Sequence, residues 1–114
     1  MAKNTAMTYN NGVVFVEAPI FSKRVYDYLN EDEYVGLQLT LVIRPEAGKV
    51  IPGSGGLRKI RWSAKGQGKR SGTRIIYYFQ KKVGQIWLLT IYAKNEVEKI
   101  PTKILREIKE TLEK

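Results

Sequence analysis

The chain has 114 residues, 43% of them hydrophobic, and carries 20 Lys and Arg against 11 Asp and Glu, a formal charge of +9. This length and apolar content suit one small domain with its own core and argue against a disordered chain. Cysteine and histidine are both absent, which excludes disulfides and zinc-thiolate sites and removes the usual general base at neutral pH.

Residues 1–12 are rich in Asn and Thr and lack an apolar signal region, so they read as a flexible leader to a single domain over residues 13–114. Val13 to Glu17 is a β-branched and aromatic run that suits a strand. Pro19 opens a helix, with Ile20, Phe21, Arg24, Val25 and Tyr28 on its apolar side. Asn30 followed by Glu33 has the form of a capping box. It starts a second helix, from about Glu31 to Ile43, that turns Tyr34, Leu37, Gln38, Leu41 and Val42 to one face. Arg44-Pro45 ends that helix, because a residue before proline avoids the α region.

After a Gly- and Pro-rich loop over residues 48–56, three strands are expected: Leu57 to Ser63, Thr73 to Gln80 and Gln85 to Tyr92. Lys65 to Gly72 joins the first two and Lys81 to Gly84 makes a tighter hairpin. A last helix begins near Pro101 with Ile104, Leu105, Ile108 and Leu112 as its stripe. The pattern is β-α-α-β-β-β-α. It predicts an α+β fold, a twisted antiparallel sheet packed on one face against the N-terminal helix pair and the C-terminal helix. No stretch of about 18 apolar residues occurs, so no membrane-spanning helix is expected and the simplest location is cytoplasmic.

Charge is unevenly placed. From Ala47 to Asn95 there is no Asp or Glu, yet eleven Lys and Arg; the rest of the chain holds nine basic and eleven acidic residues. One segment owns the whole excess, and clustering of this kind points toward nucleic acid. Strand alternation puts Lys59 and Arg61 on one face of the first of these strands. Arg74 and Tyr92 follow on the matching faces of the next two. The apolar sets Ile75/Tyr77/Phe79 and Trp87/Leu89/Ile91 suit the opposite, helix-covered face. Lys59, Arg61, Arg74 and Tyr92 then share an outward surface, with Lys65, Lys69 and Arg70 at its rim. Crowded cations on a rigid sheet are tolerated when an anion lies between them. They can also lower a lysine's pKa, so that Lys59 becomes a proton acceptor. A metal-free cleavage of RNA through its 2′-hydroxyl would use such a base, cations on the phosphate and a proton donor. The bland alternatives are a solvated basic face, core aromatics, and a Gly66-x-Gly68 loop that fits no nucleotide signature.

Gly55-Gly56-Leu57-Arg58-Lys59-Ile60-Arg61, then Lys65 to Phe79, then Leu88 to Glu96 resemble the RelE/HigB family of bacterial toxins, in the family's order and spacing. The likeness extends over about Val13 to Val97. It implies the toxin of a type II toxin–antitoxin system: a metal-independent, ribosome-dependent mRNA endoribonuclease that enters the ribosomal A site, cuts mRNA and inhibits translation. It implies no cofactor, and a cognate antitoxin as partner. Carried over by position, Lys59, Arg61 and Arg74 would be catalytic. Arg58, Lys65, Lys69 and Arg70 would be RNA-binding. Many members have an arginine where this chain has Asn95 and a C-terminal tyrosine that this chain lacks; Tyr92 and Lys94 are the nearest substitutes by type. The competing readings are a non-catalytic RNA- or DNA-binding module and a docking patch for an acidic protein.

Overall fold

A computed structural model describes residues 5–8, 12–62, 72–94, 96 and 100–112. Its elements are β1 (Thr5–Thr8), β2 (Val14–Glu17), α1 (Pro19–Tyr28), α2 (Glu31–Ile43), β3 (Lys49–Val50), β4 (Arg58–Trp62), β5 (Thr73–Gln80), β6 (Gln85–Ala93) and α3 (Thr102–Leu112). The strands form one sheet in the order β1-β2-β6-β5-β4-β3. Every neighbouring pair is antiparallel except β2 and β6, which run parallel with Val14 to Glu17 beside Gln85 to Leu88. The fold is α+β. Among the described residues, no helix is long and apolar enough to cross a membrane.

Local chemistry sets the helix ends where the sequence indicates. Pro19 occupies the first turn of α1, where its missing N–H costs nothing. The capping box of α2 is complete: the Asn30 side chain accepts from the Glu33 N–H and the Glu33 carboxylate accepts from the Asn30 N–H, both at 2.8 Å. Glu31, Asp32 and Glu33 fill the first turn, where the helix dipole favours negative charge. Tyr34, Leu37, Gln38 and Leu41 are buried, while Val35, Leu39 and Ile43 form an exposed apolar row on the other side. On α1, Phe21 and Val25 are buried and Tyr28 packs partly buried against the same core, while Ile20 is exposed.

The architecture departs from expectation in three ways. Thr5–Thr8, placed in the leader, forms a strand against β2. The sheet is mixed and has six strands, because β2 inserts beside β6 and the two-residue β3 extends the far edge. The helices also cover both faces. Phe21, Val25, Leu37 and Leu41 of α1 and α2 pack on Ile75, Tyr77, Ile86, Leu88 and Ile91. Leu105 of α3 packs with Leu57, Ile76, Leu89 and Tyr92 on the reverse face, flanked by Trp87 and Ile108. Of the other stripe residues of α3, Ile104 is exposed.

A bulge explains which side chains go where on β6. Tyr77 pairs with Leu88 but Ile76 pairs with Thr90, so Leu89 is an extra residue. Simple alternation assigns Trp87, Leu89 and Ile91 to one face. In the fold, Ile86, Leu88 and Ile91 lie under α1 and α2, and Trp87 and Leu89 lie under α3. The near-continuous apolar run of β6 fits a strand covered on both sides.

Candidate nucleic-acid interface

The antiparallel register sets cations against cations. Lys49 of β3 lies directly opposite Lys59 of β4, and Arg61 of β4 lies directly opposite Arg74 of β5. Arg74 in turn faces Tyr92 of β6. Directly opposed residues share a sheet face, with Cβ atoms about 4.5–5.5 Å apart, and like charges in that relation destabilise the pair. Lys59, Arg61, Arg74 and Tyr92 thus do gather on one face, the face that carries α3.

Beside these pairs lies a groove of about 830 Å³. Lys59, Ile76 and Tyr92 come to it from the sheet, Lys49 and Pro52 from the β3 side, and Leu105 from α3. A smaller hollow of about 530 Å³ continues along Lys49, Lys59 and Arg61. Neither lining contains a carboxylate among the described residues. Among the described residues, no group of three or more Asp, Glu, His or Cys is placed to hold a metal.

The individual residues differ in what they offer. Arg61 is exposed and Lys59 half-buried. Arg74 is only 3% exposed, and its Nη1 donates to the Gly72 carbonyl at 2.7 Å. The expectation of three protruding cations is therefore corrected: Arg61 projects, Lys59 flanks the groove, and Arg74 lies beneath the surface as a fixed positive charge next to Tyr92. Burial raises the pKa of the Tyr92 phenol and the Arg74 charge partly offsets that rise. The phenol is protonated at neutral pH and can give a proton rather than take one.

Arg58 belongs elsewhere. Its Nη1 donates to the Gly48 carbonyl at 2.7 Å, and its Nη2 lies 3.5 Å from a Glu46 carboxylate oxygen. That carboxylate sits just ahead of the acid-free segment, so Arg58 does have a local acidic partner. Arg58 braces the loop between α2 and β3 instead of presenting a free guanidinium. Lys94 is exposed at the end of β6. Lys65, Lys69 and Arg70 lie outside the described residues, as does Asn95.

Lys49 is the site residue that sequence reasoning passes over. A two-residue strand has no alternation to read, and only membership of the basic segment marked it. Glu96 acts as a tie: it accepts from the Tyr28 hydroxyl and from the Ala93 N–H, and Arg24 of α1 lies 3.8 Å away. The hydrogen bond from Tyr28 holds the Glu96 carboxyl below the usual carboxylate range. It joins α1 to the end of β6, next to the basic face. No protein-family model matches this chain.

Proposed function

We propose that this protein is a metal-independent endoribonuclease that cuts mRNA on the ribosome, the toxin of a toxin–antitoxin pair with a RelE-like topology. The observation that carries the reading is the double row of opposed cations, Lys49 with Lys59 and Arg61 with Arg74, beside a groove that holds no carboxylate among the described residues. Such pairs are unfavourable until an anion sits between them. The resemblance of Gly53 to Glu96 to RelE/HigB toxins supplies the substrate and the place of action. The element order, with a helical hairpin between the first core strand and the basic strands, supports the same reading.

In this scheme Arg61 and Lys49 hold the scissile phosphate and Lys59 takes the 2′-hydroxyl proton or adds a second cation. Arg74 supplies a fixed positive field from below, and Tyr92, which is as buried as Arg74 but lines the groove, gives a proton to the leaving oxygen. Lys94 lies at the rim. The exposed row Val35, Leu39 and Ile43 on α2 supports a protein partner, the antitoxin, on the face away from the groove. Expression should halt translation and leave new mRNA ends inside translated frames. Arg61→Ala tests the site cleanly because the residue is exposed; it should slow cutting by about a hundredfold or more. Cutting at the wild-type rate by that variant would remove Arg61 from the chemistry and overturn the assignment.

The burial of Arg74 favours a second reading, a non-catalytic RNA- or DNA-binding module, since a covered guanidinium cannot reach a phosphate. Salt-sensitive binding without strand scission would mark that outcome.

A further inference from the structure

The groove is not uniformly cationic. Away from Lys49, Lys59 and Tyr92 its described lining is aliphatic: Val50, Ile51 and Pro52 on one side, Ile76 below, Ile100 and Leu105 on the other. Half of Val50 is exposed, so the apolar surface continues to the rim. A phosphate alone has no use for that half. An RNA backbone running over the surface would not need a cavity.

The aliphatic wall is also built to stay in place. The loop from Ile51 to Leu57 closes on itself through the Ile51 N–H to the Leu57 carbonyl at 2.8 Å. Fully buried Ser54 donates to the Ile51 carbonyl at 2.6 Å and accepts from the Leu57 N–H at 3.0 Å. Gly53 and Gly55 both have positive φ, and added β-carbons would lie 3.1 Å from Thr102 and 2.9 Å from Lys109. The loop therefore lies close against α3. Lys109 packs its stem there and sets its ammonium 5.1 Å from the Tyr78 ring centroid. Pockets that bind small ligands combine such a preformed apolar cavity with a few placed polar groups.

We infer that the groove is a subsite for one nucleotide unit of RNA, with the phosphate between Lys49 and Lys59 and the base inserted among Val50, Pro52, Ile100 and Leu105. Among the described residues, the Tyr92 phenol offers a hydrogen-bonding group to the base or its sugar. This inference rests on the reading of the face as an RNA-binding surface and adds to it a place where base identity is sensed. Nucleotide units whose bases fit the cavity are preferred, and the cleavage pattern follows from that preference.

The test uses the purified full-length protein and compares the four nucleoside monophosphates, inorganic phosphate and decanoate by calorimetric titration. At least one monophosphate should bind about tenfold or more tightly than inorganic phosphate. The double substitution Val50→Ser with Ile100→Ser should erase that advantage while leaving phosphate affinity unchanged. Lys49→Gln should weaken phosphate and nucleotide alike. In a translating extract, the double variant should cut mRNA with altered base preference. Equal affinity for monophosphates and phosphate would overturn the inference, as would decanoate binding as tightly as any nucleotide. Selective nucleotide binding by a wild-type protein that cuts no mRNA would uphold the subsite and defeat the nuclease reading. Cutting with selectivity unchanged by the double variant would do the reverse.

Discussion

At the scale of single residues, Tyr77 shows how much of the basic face depends on the far side of the sheet. Its ring is fully buried under the helices. Its hydroxyl donates to the Pro45 carbonyl at 2.8 Å and accepts from the Gly48 N–H at 2.8 Å. Those two bonds hold the turn that delivers Lys49 opposite Lys59. Tyr77→Phe leaves the buried Gly48 N–H without its partner and should cost about 1–3 kcal/mol, read from the urea midpoint. Gly48→Ala should cost more than a surface change, because its β-carbon would lie 2.8 Å from the Tyr77 ring and 2.9 Å from the Lys59 carbonyl oxygen. Tyr77 was legible as a core aromatic from alternation. Its service to the turn was not, because contacts 29 and 32 residues apart in sequence leave no periodic trace. The surroundings of Arg58 were hidden for a related reason: composition counts its charge, while its hydrogen bond to the Gly48 carbonyl and its ion pair with Glu46 come from the fold.

Among the elements, those ruled by local chemistry were the most legible. The capping box fixes the start of α2, and Arg44-Pro45 coincides with its end. Asn30→Ala should destabilise the protein by about 1 kcal/mol, and Asn30→Gly by only a few tenths. No loss in either variant, measured by chemical denaturation, would show that the cap contributes nothing there. The strands β5 and β6 were read almost to the residue from their apolar runs and turn residues. The facing of β6 was misread because one bulge residue, Leu89, reverses the parity that alternation relies on. Tyr92 still reached the basic face, since the bulge precedes it and the register pairs it with Arg74. The place of α3 could not be read from its own stripe. An amphipathic helix states that it packs, not on which face.

For the whole molecule, the sheet divides labour between its faces: α1 and α2 on one, α3 with the groove and the opposed cations on the other. If RNA binds there, the logarithm of the affinity for single strands should fall linearly with the logarithm of salt. Lys49→Gln or Arg61→Gln should each shrink the slope by about 0.7, measured by fluorescence anisotropy over a salt series. A slope unchanged in both variants would place the contact elsewhere. Alkaline behaviour tests the packing. Burial raises the phenol pKa values of Tyr28, Tyr34, Tyr77 and Tyr92 above their ordinary value of 10.0. The folded state thus holds these protons longer than the unfolded chain. Their contribution is complete below about pH 10 and is lost as pH rises toward the folded values. The urea midpoint should be flat from neutral pH to about 9 and then drop steeply. A midpoint level through pH 11 would contradict the burial of these rings.

The parallel pairing of β2 with β6 has a consequence for synthesis. Val14–Glu17 is made early but completes its hydrogen bonds only with Gln85–Leu88, and parallel contacts this distant in sequence form slowly. A chain emerging from the peptide exit tunnel must carry an unmatched β edge through most of its elongation. Products terminated ahead of Gln85 would keep that edge open, natural prey for proteases and for one another.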